Sequence, residues 1–208
     1  MDQKQDNFQL SKDIKKLLSQ KLFGQDEAIT TIANSLKNNI LSNEKAPKAT
    51  YLFLGPPATG KTYLAELMTE NLTEYEIVKF DMTQYHQQNG GELYGYPYGW
   101  KGYGVGQLTG FVHRNPKCII VLDAFEKCDN IIQNNLLSIF EGGKMRDGCG
   151  WDKLTDEPCN ENPEITYTDE NANYWVDFTE AIFVITSSLG KELYLDNKFK
   201  DLVKEDQI

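Results

Sequence analysis

A chain of 208 residues, 40% hydrophobic and 25% charged, suits one globular domain with at most a small appendage and can bury a substantial core. A net charge of −10 argues against a general nucleic-acid binder, and Arg114 and Arg146, the only two arginines, leave little for arginine clamps. The N-terminal MDQKQDNFQL has no apolar signal core, and no run approaches the ~18 apolar residues of a membrane helix, so the reading is cytoplasmic with no membrane partner.

Residues 8–22 and 26–41 have helical apolar spacing, the second after Gly24 with Asp26 and Glu27 in its first turn. The polar break NEKAPK leads into TYLFL at 50–54, a short buried-strand candidate. Residues 61–72 read as a helix, EIVKF as a strand, and 83–93 as irregular or helical. The stretch 94–106 is rich in glycine and tyrosine. Then follow a short helix at 107–114, a strand at 118–122, a helix at 129–140 and the strand AIFVIT at 181–186. Alternating strands and helices imply an α/β fold with a parallel sheet covered on both faces. Helices at 1–47 lead into a core at 48–208.

The strongest chemical signal is GPPATGKT, residues 55–62, between the first strand and its helix. It fits G-x-x-x-x-G-K-[ST] in the strand–loop–helix context that this motif requires. A loop built from Gly55, Pro56, Pro57, Ala58, Thr59 and Gly60 turns its amides inward around phosphate oxygens, and the following helix adds its positive end. Lys61 would neutralise the β and γ phosphates of ATP, and Thr62 would ligate Mg²⁺. Tyr63 follows within the same nucleotide-binding stretch. Asp123, at the end of the later apolar strand IIVLD, is the expected second Mg²⁺ anchor.

Cys118, Cys128, Cys149 and Cys159 show no C-x-x-C spacing and read as reduced thiols without a shared role; only Cys149 and Cys159 could pair, across a polar loop. His86 and His113 have no ligand-like partner nearby and read as surface or structural residues.

Further stretches complete a pattern: LFGQDEAI at 22–29, YLFLGPPATGKTYLAE at 51–66, FDMTQY at 80–85, GYPYGWKGYGVGQLTGFVHRNPKCIIVLDAFEK at 95–127, GGKMRDGCG at 142–150 and ITSSLG at 185–190. In this order they resemble the Clp-type AAA+ ATPases, in particular the C-terminal ATPase module of ClpB/ClpA-like unfoldases and disaggregases. The resemblance runs from about residue 13 to 195. It implies a P-loop AAA+ large subdomain, a polypeptide substrate and a homo-oligomeric ring in a longer form. It also implies that Leu22 and Phe23 border the adenine, and that GWKG at 99–102 is the pore loop, with Trp100 and Lys101 meeting the substrate. Without the family, the aromatic stretch reads as a flexible loop or a packing element.

Three departures from the family stand out. Ala124 occupies the place of the catalytic glutamate, and Ser188 that of the sensor asparagine that orients the water. Glu126 matches a separate family position, and a strand end does not slide its register by two residues, which argues against its replacing the base. In the family the chain continues through the arginine finger, a fifth strand beside TYLFL and a helical lid; here those elements are expected to be missing, leaving an open apolar edge. Finally, residues 151–175 form an insertion with seven acids and one lysine, read as a solvated loop or hairpin, or as a docking surface for a partner.

The sequence therefore supports an ATP-binding module of a protein-remodelling ATPase with impaired hydrolysis. The alternative is a non-hydrolysing, nucleotide-dependent scaffold or regulator. A different P-loop enzyme, such as a small-molecule kinase, is disfavoured by the pore-loop and GQLT matches and has no acceptor-site motif.

Overall fold

The computed structural model describes residues 15–21, 26–39, 45–69, 74–85, 90–162, 167–168 and 170–190. Leu22, Phe23, His86 and the segment 191–208 lie outside the described residues. Helix α1 covers residues 15–21 and α2 spans Asp26–Asn39, ahead of strand β1 at Ala49–Leu54. Helix α3 (Lys61–Thr69) and strand β2 (Glu76–Asp81) follow. After a short 3₁₀ turn come α4 (Gly91–Tyr94), α5 (Gln107–Arg114) and β3 (Cys118–Asp123). Helix α6 (Asn130–Gly142), the strands β4 (Lys144–Asp152) and β5 (Ala172–Asp177), and β6 (Ile182–Ser187) complete the order.

The main sheet has the order β1-β6-β3-β2, with every neighbouring pair parallel. Its period-two side-chain alternation builds two cores. Ile120 and Leu122 of β3, with Phe183 and Ile185 of β6, face α5 and α6 residues such as Leu108, Val112, Ile132 and Leu136. Ile119, Val121, Ile182 and Val184 point the other way, onto Leu64, Leu67 and Met68 of α3 and onto Ile29, Ile32 and Leu18 from α2 and α1. Both central strands are thus buried on two faces, the arrangement expected of near-continuous apolar strands in a parallel sheet. Burying one such aliphatic side chain contributes about 1.5–3 kcal/mol, so the two central strands dominate the core energetics.

β1 pairs only with β6 among the described residues. Its Leu52 and Leu54, on the face turned away from Tyr51, are 55% and 53% exposed.

A second sheet was not apparent in the sequence. β4 and β5 form an antiparallel pair that runs into both ends of the 151–175 insertion, pairing Trp151 with Asn173 and Asp152 with Ala172. Burial alternates along β4 through Met145, a fully buried Asp147 and Cys149 and breaks at Gly150, with a register irregularity between Arg146 and Trp151. Trp151 itself is a core residue, stacked on His113 with ring centroids 4.0 Å apart. His113 Nε2 also lies 3.0 Å from Asp156 Oδ1, which gives this histidine two structural partners. All four cysteines are free and buried.

Candidate nucleotide site

The carboxyl ends of β1, β6 and β3 open onto one cavity, the crevice position at which parallel sheets place their ligands. β1 ends at Leu54, and α3 begins at Lys61; the intervening loop turns through Gly55, Ala58 and Gly60, with φ of 153°, 62° and 85°. Gly60 adopts a left-handed conformation at little cost, whereas Ala58 holds one despite its Cβ. The first bond of α3 runs from Leu64 N to Gly60 O at 2.8 Å, and no acidic side chain sits in the first turn to oppose an anion there.

Lys61 folds back over this loop, and its Nζ donates to Gly55 O at 2.9 Å and to Pro56 O at 2.7 Å. Thr59 Oγ1 donates to Pro56 O at 2.9 Å, which braces the turn from inside. Gly55, Pro56 and Thr59 therefore shape the loop, while Pro57, Ala58, Gly60, Lys61, Thr62 and Tyr63 line the cavity itself. The cavity measures about 470 Å³, within the ~300–1,000 Å³ range of small-molecule sites.

Across the cavity wall, Thr62 Oγ1 donates to Asp123 Oδ1 at 3.1 Å, bringing the two expected metal ligands together from α3 and β3. Thr186 Oγ1 donates to the same oxygen at 2.5 Å and accepts from Ala124 N at 3.1 Å. Lys79 Nζ on β2 lies 3.4 Å from Asp123 Oδ2. Burial pushes the Asp123 carboxyl up, but the hydroxyls of Thr186 and Thr62 and the Lys79 ammonium outweigh it and hold the group below its ordinary value. An ionised carboxylate beside a threonine hydroxyl is a hard-oxygen pair suited to Mg²⁺, which keeps waters and phosphate oxygens as its remaining ligands. The residues present therefore fit Mg²⁺. No group of three or more His, Cys, Asp or Glu side chains suited to a metal occurs among the described residues, so a cage made of protein side chains alone is not offered.

The chain after Asp123 does not continue straight. Ala124 is left-handed (φ 56°, ψ 47°), and the 3₁₀ turn Phe125–Lys127 follows it. Glu126 is thereby returned to the cavity wall, where Ser188 Oγ donates to its Oε1 at 2.5 Å. Burial raises the Glu126 carboxyl, yet the hydroxyls of Ser188 and Ser187 hold it below its ordinary value. Because Ala124 turns the chain, the register of β3 does not carry past Asp123, and Glu126 reaches a wall that a continuing strand would not bring it to. Thr186, Ser187 and Glu126 are wall residues that sequence reasoning did not select. Thr186 and Ser187 had one usable signal, their place at the end of the apolar strand that precedes Ser188.

The second predicted feature is separate in the fold. Tyr96 and Gly104 form an antiparallel bridge that closes the loop between them, with Tyr96 N donating to Gly104 O at 2.9 Å. At its tip Trp100 is 57% and Tyr98 78% exposed, and Lys101 is exposed beside them. Gly99 and Gly102 flank the tryptophan at φ 85° and 90°. Beneath the loop, Asp147 on β4 accepts hydrogen bonds from Gly106 N, Thr109 Oγ1, Cys149 N and Gly150 N.

Comparison with known proteins agrees with this geometry. Residues 46–207 match the profile of the family described as AAA domain (Cdc48 subfamily). The chain is 33% identical over 195 residues to the chaperone protein ClpB of Clostridium perfringens (strain 13 / Type A), which covers 91% of this chain and 20% of that protein. It is 33% identical over 185 residues to the chaperone protein ClpB 2 of Synechocystis sp. (strain ATCC 27184 / PCC 6803 / Kazusa), covering 86% of this chain and 19% of the relative. The chain thus spans about a fifth of the length of the curated relatives it matches. With a family profile covering most of its residues, a parallel sheet flanked by helices and a G-x-x-x-x-G-K-T loop between β1 and α3, the chain belongs to the AAA domain family, as a Clp-type AAA+ module.

Proposed function

We propose that this chain binds Mg·ATP and acts as the nucleotide-binding module of a protein-remodelling ATPase whose hydrolysis is slow. The observation that supports it most directly is the convergence of Lys61, Thr62 and Asp123 on one cavity at the carboxyl end of the sheet. Lys61 exchanges its loop carbonyls for the β and γ phosphates, and the loop amides with the α3 N-terminus complete the cradle. Thr62 and Asp123 hold Mg²⁺, which neutralises charge on the phosphates when bound. Leu22 and Phe23 are assigned to the adenine side by family resemblance.

Slow turnover rests on Ala124, whose methyl stands directly after Asp123 and carries no proton acceptor. Loss of a positioned general base lowers the rate by about 10²- to 10⁴-fold while leaving phosphate contacts in place. Trp100 and Lys101, on the exposed loop tip, are the residues proposed to touch a polypeptide substrate, in a cytoplasmic ring of such modules. No helix among the described residues is long and apolar enough to cross a membrane. A nucleotide-holding scaffold is the second reading, and the same Ala124 favours it.

Titration calorimetry with Mg·ATP checks the core of this reading. The protein as it stands should bind with micromolar or better affinity, and Lys61→Ala should weaken binding at least tenfold. A folded protein that binds no ATP would remove the assignment. Turnover as fast as that of a competent AAA+ enzyme would leave the binding site standing and overturn its slow hydrolysis.

A further inference from the structure

Glu126 shares the cavity with Lys61, Thr62 and Asp123, and the turn that brings it there begins at a strained residue. A left-handed alanine is an uncommon conformation, retained where the surrounding structure fixes it. Here it is fixed on both sides: Ala124 N donates to Thr186 Oγ1, and Lys127 N closes the turn on Ala124 O at 2.9 Å. Glu126 Oε1 accepts from Ser188 Oγ, whereas Oε2 is buried without a hydrogen-bond partner among the described residues. A buried acceptor without a partner is uncommon in a folded protein, and a catalytic role is one of the reasons such a group is retained.

We propose that Glu126, held in place by Ser188, is the carboxylate that orients the attacking water and takes its proton in this chain. The proposal rests on the nucleotide reading above and gives the slow hydrolysis a definite residue. In the step itself, the water oxygen forms a bond to the γ-phosphorus. The bond from that phosphorus to the bridging oxygen breaks, and ADP leaves with the electron pair. The water proton passes to the Glu126 carboxylate. The carboxyl is held ionised at neutral pH by the Ser188 and Ser187 hydroxyls against the opposing effect of burial. A carboxylate is a weak base, and the step asks it both to orient the water and to accept its proton, which an amide cannot do. Ser188 is a positioning residue, acting through Glu126.

Binding of a transition-state mimic reads this without relying on turnover. Mg·ADP is titrated into the protein with and without aluminium fluoride, for the unaltered chain, Glu126→Gln, Ser188→Ala and Ser188→Thr. Circular dichroism establishes that each is folded. Aluminium fluoride should tighten ADP binding at least tenfold in the unaltered chain. Glu126→Gln should abolish that gain with ADP affinity alone unchanged, Ser188→Ala should reduce it, and Ser188→Thr, which keeps the hydroxyl, should retain it. Single-turnover hydrolysis should fall at least tenfold in Glu126→Gln. If ADP does not bind at all, the nucleotide reading itself fails. If ADP binds but aluminium fluoride adds nothing, or adds as much in Glu126→Gln as in the unaltered chain, the role of Glu126 is overturned while the binding site stands. Should Glu126→Gln not fold, Ser188→Ala decides alone, an undiminished gain counting against the proposal.

Discussion

A methyl group at position 124 has two consequences that pull in different directions. It offers no proton acceptor next to Asp123, and it sits on an L-residue held in the left-handed region at φ 56°. The second effect has its own measurable signature. A side chain at that φ costs roughly 1–2 kcal/mol relative to glycine, offset in part by the greater freedom of glycine in the unfolded chain. Ala124→Gly should therefore stabilise the fold by about 0.5–1 kcal/mol, read as a higher urea midpoint at an unchanged slope. A lower midpoint would mean that the methyl is packed rather than strained. At this scale the loop at 55–62 and its turn were legible because glycine, lysine and threonine occur at fixed spacing, each with a chemical reason. Glu126 was not. Its approach to the cavity depends on a left-handed residue, and an alanine gives no warning of one.

Among the elements, the aromatic loop and its foundation make opposite demands. Trp100 stands at an exposed tip between two left-handed glycines, while Asp147 below it is fully buried with four donors converging on its carboxylate. Truncating the first removes little packing; truncating the second takes the acceptor from the amides of Gly106, Cys149 and Gly150 and leaves the Thr109 hydroxyl only Leu93 O. Trp100→Ala should change stability by under about 0.5 kcal/mol, as exposed substitutions usually do. Asp147→Ala should cost about 3 kcal/mol or more, on the order of 6–12 °C in melting temperature for a domain of this size. Thermal melts of the two variants check both, and a large drop for Trp100→Ala would mean that the tip is a packing element. The same pair explains what the sequence revealed. β3 and β6 announced themselves as unbroken apolar runs, and α6 by apolar residues at helical spacing. β4 did not, because its inward positions include Asp147, a charged residue that reads as surface until its donors are seen. The acidic insertion continues this hairpin at its described ends, with a turn in which Asp152 Oδ1 accepts from Leu154 N and Thr155 N.

For the whole molecule, titration sets a window of stability whose limits can be argued from both sides. Asp123 and Glu126 have carboxyls held below their ordinary values of 3.8 and 4.5, each by hydroxyl hydrogen bonds that outweigh burial. A depressed folded value contributes stability above the unfolded one and loses it as the pH falls through the folded value, so an acid limb begins below about pH 4. At the other end, burial pushes the Cys118 and Cys159 thiols from 9.0 up to about 12, Cys128 to about 11 and the Tyr51 phenol from 10.0 to about 12. These groups are neutral when protonated. Their raised folded values contribute stability that is complete below the unfolded value and is lost as the pH rises from about 9 towards 12. The net charge of −10 adds to the alkaline loss, since deprotonation makes an already negative chain more so, an effect that salt weakens. Melting temperatures should thus be nearly flat from about pH 5 to 8 and fall clearly by pH 10. Cys118→Val, close in volume and unable to ionise, should recover part of the fall at pH 10 while changing little at pH 7. A chain that melted at the same temperature at pH 7 and pH 10 would show that these thiols are not shielded by the sheet, and the packing of β3 against β2 and β6 would need to be looser than the structure has it.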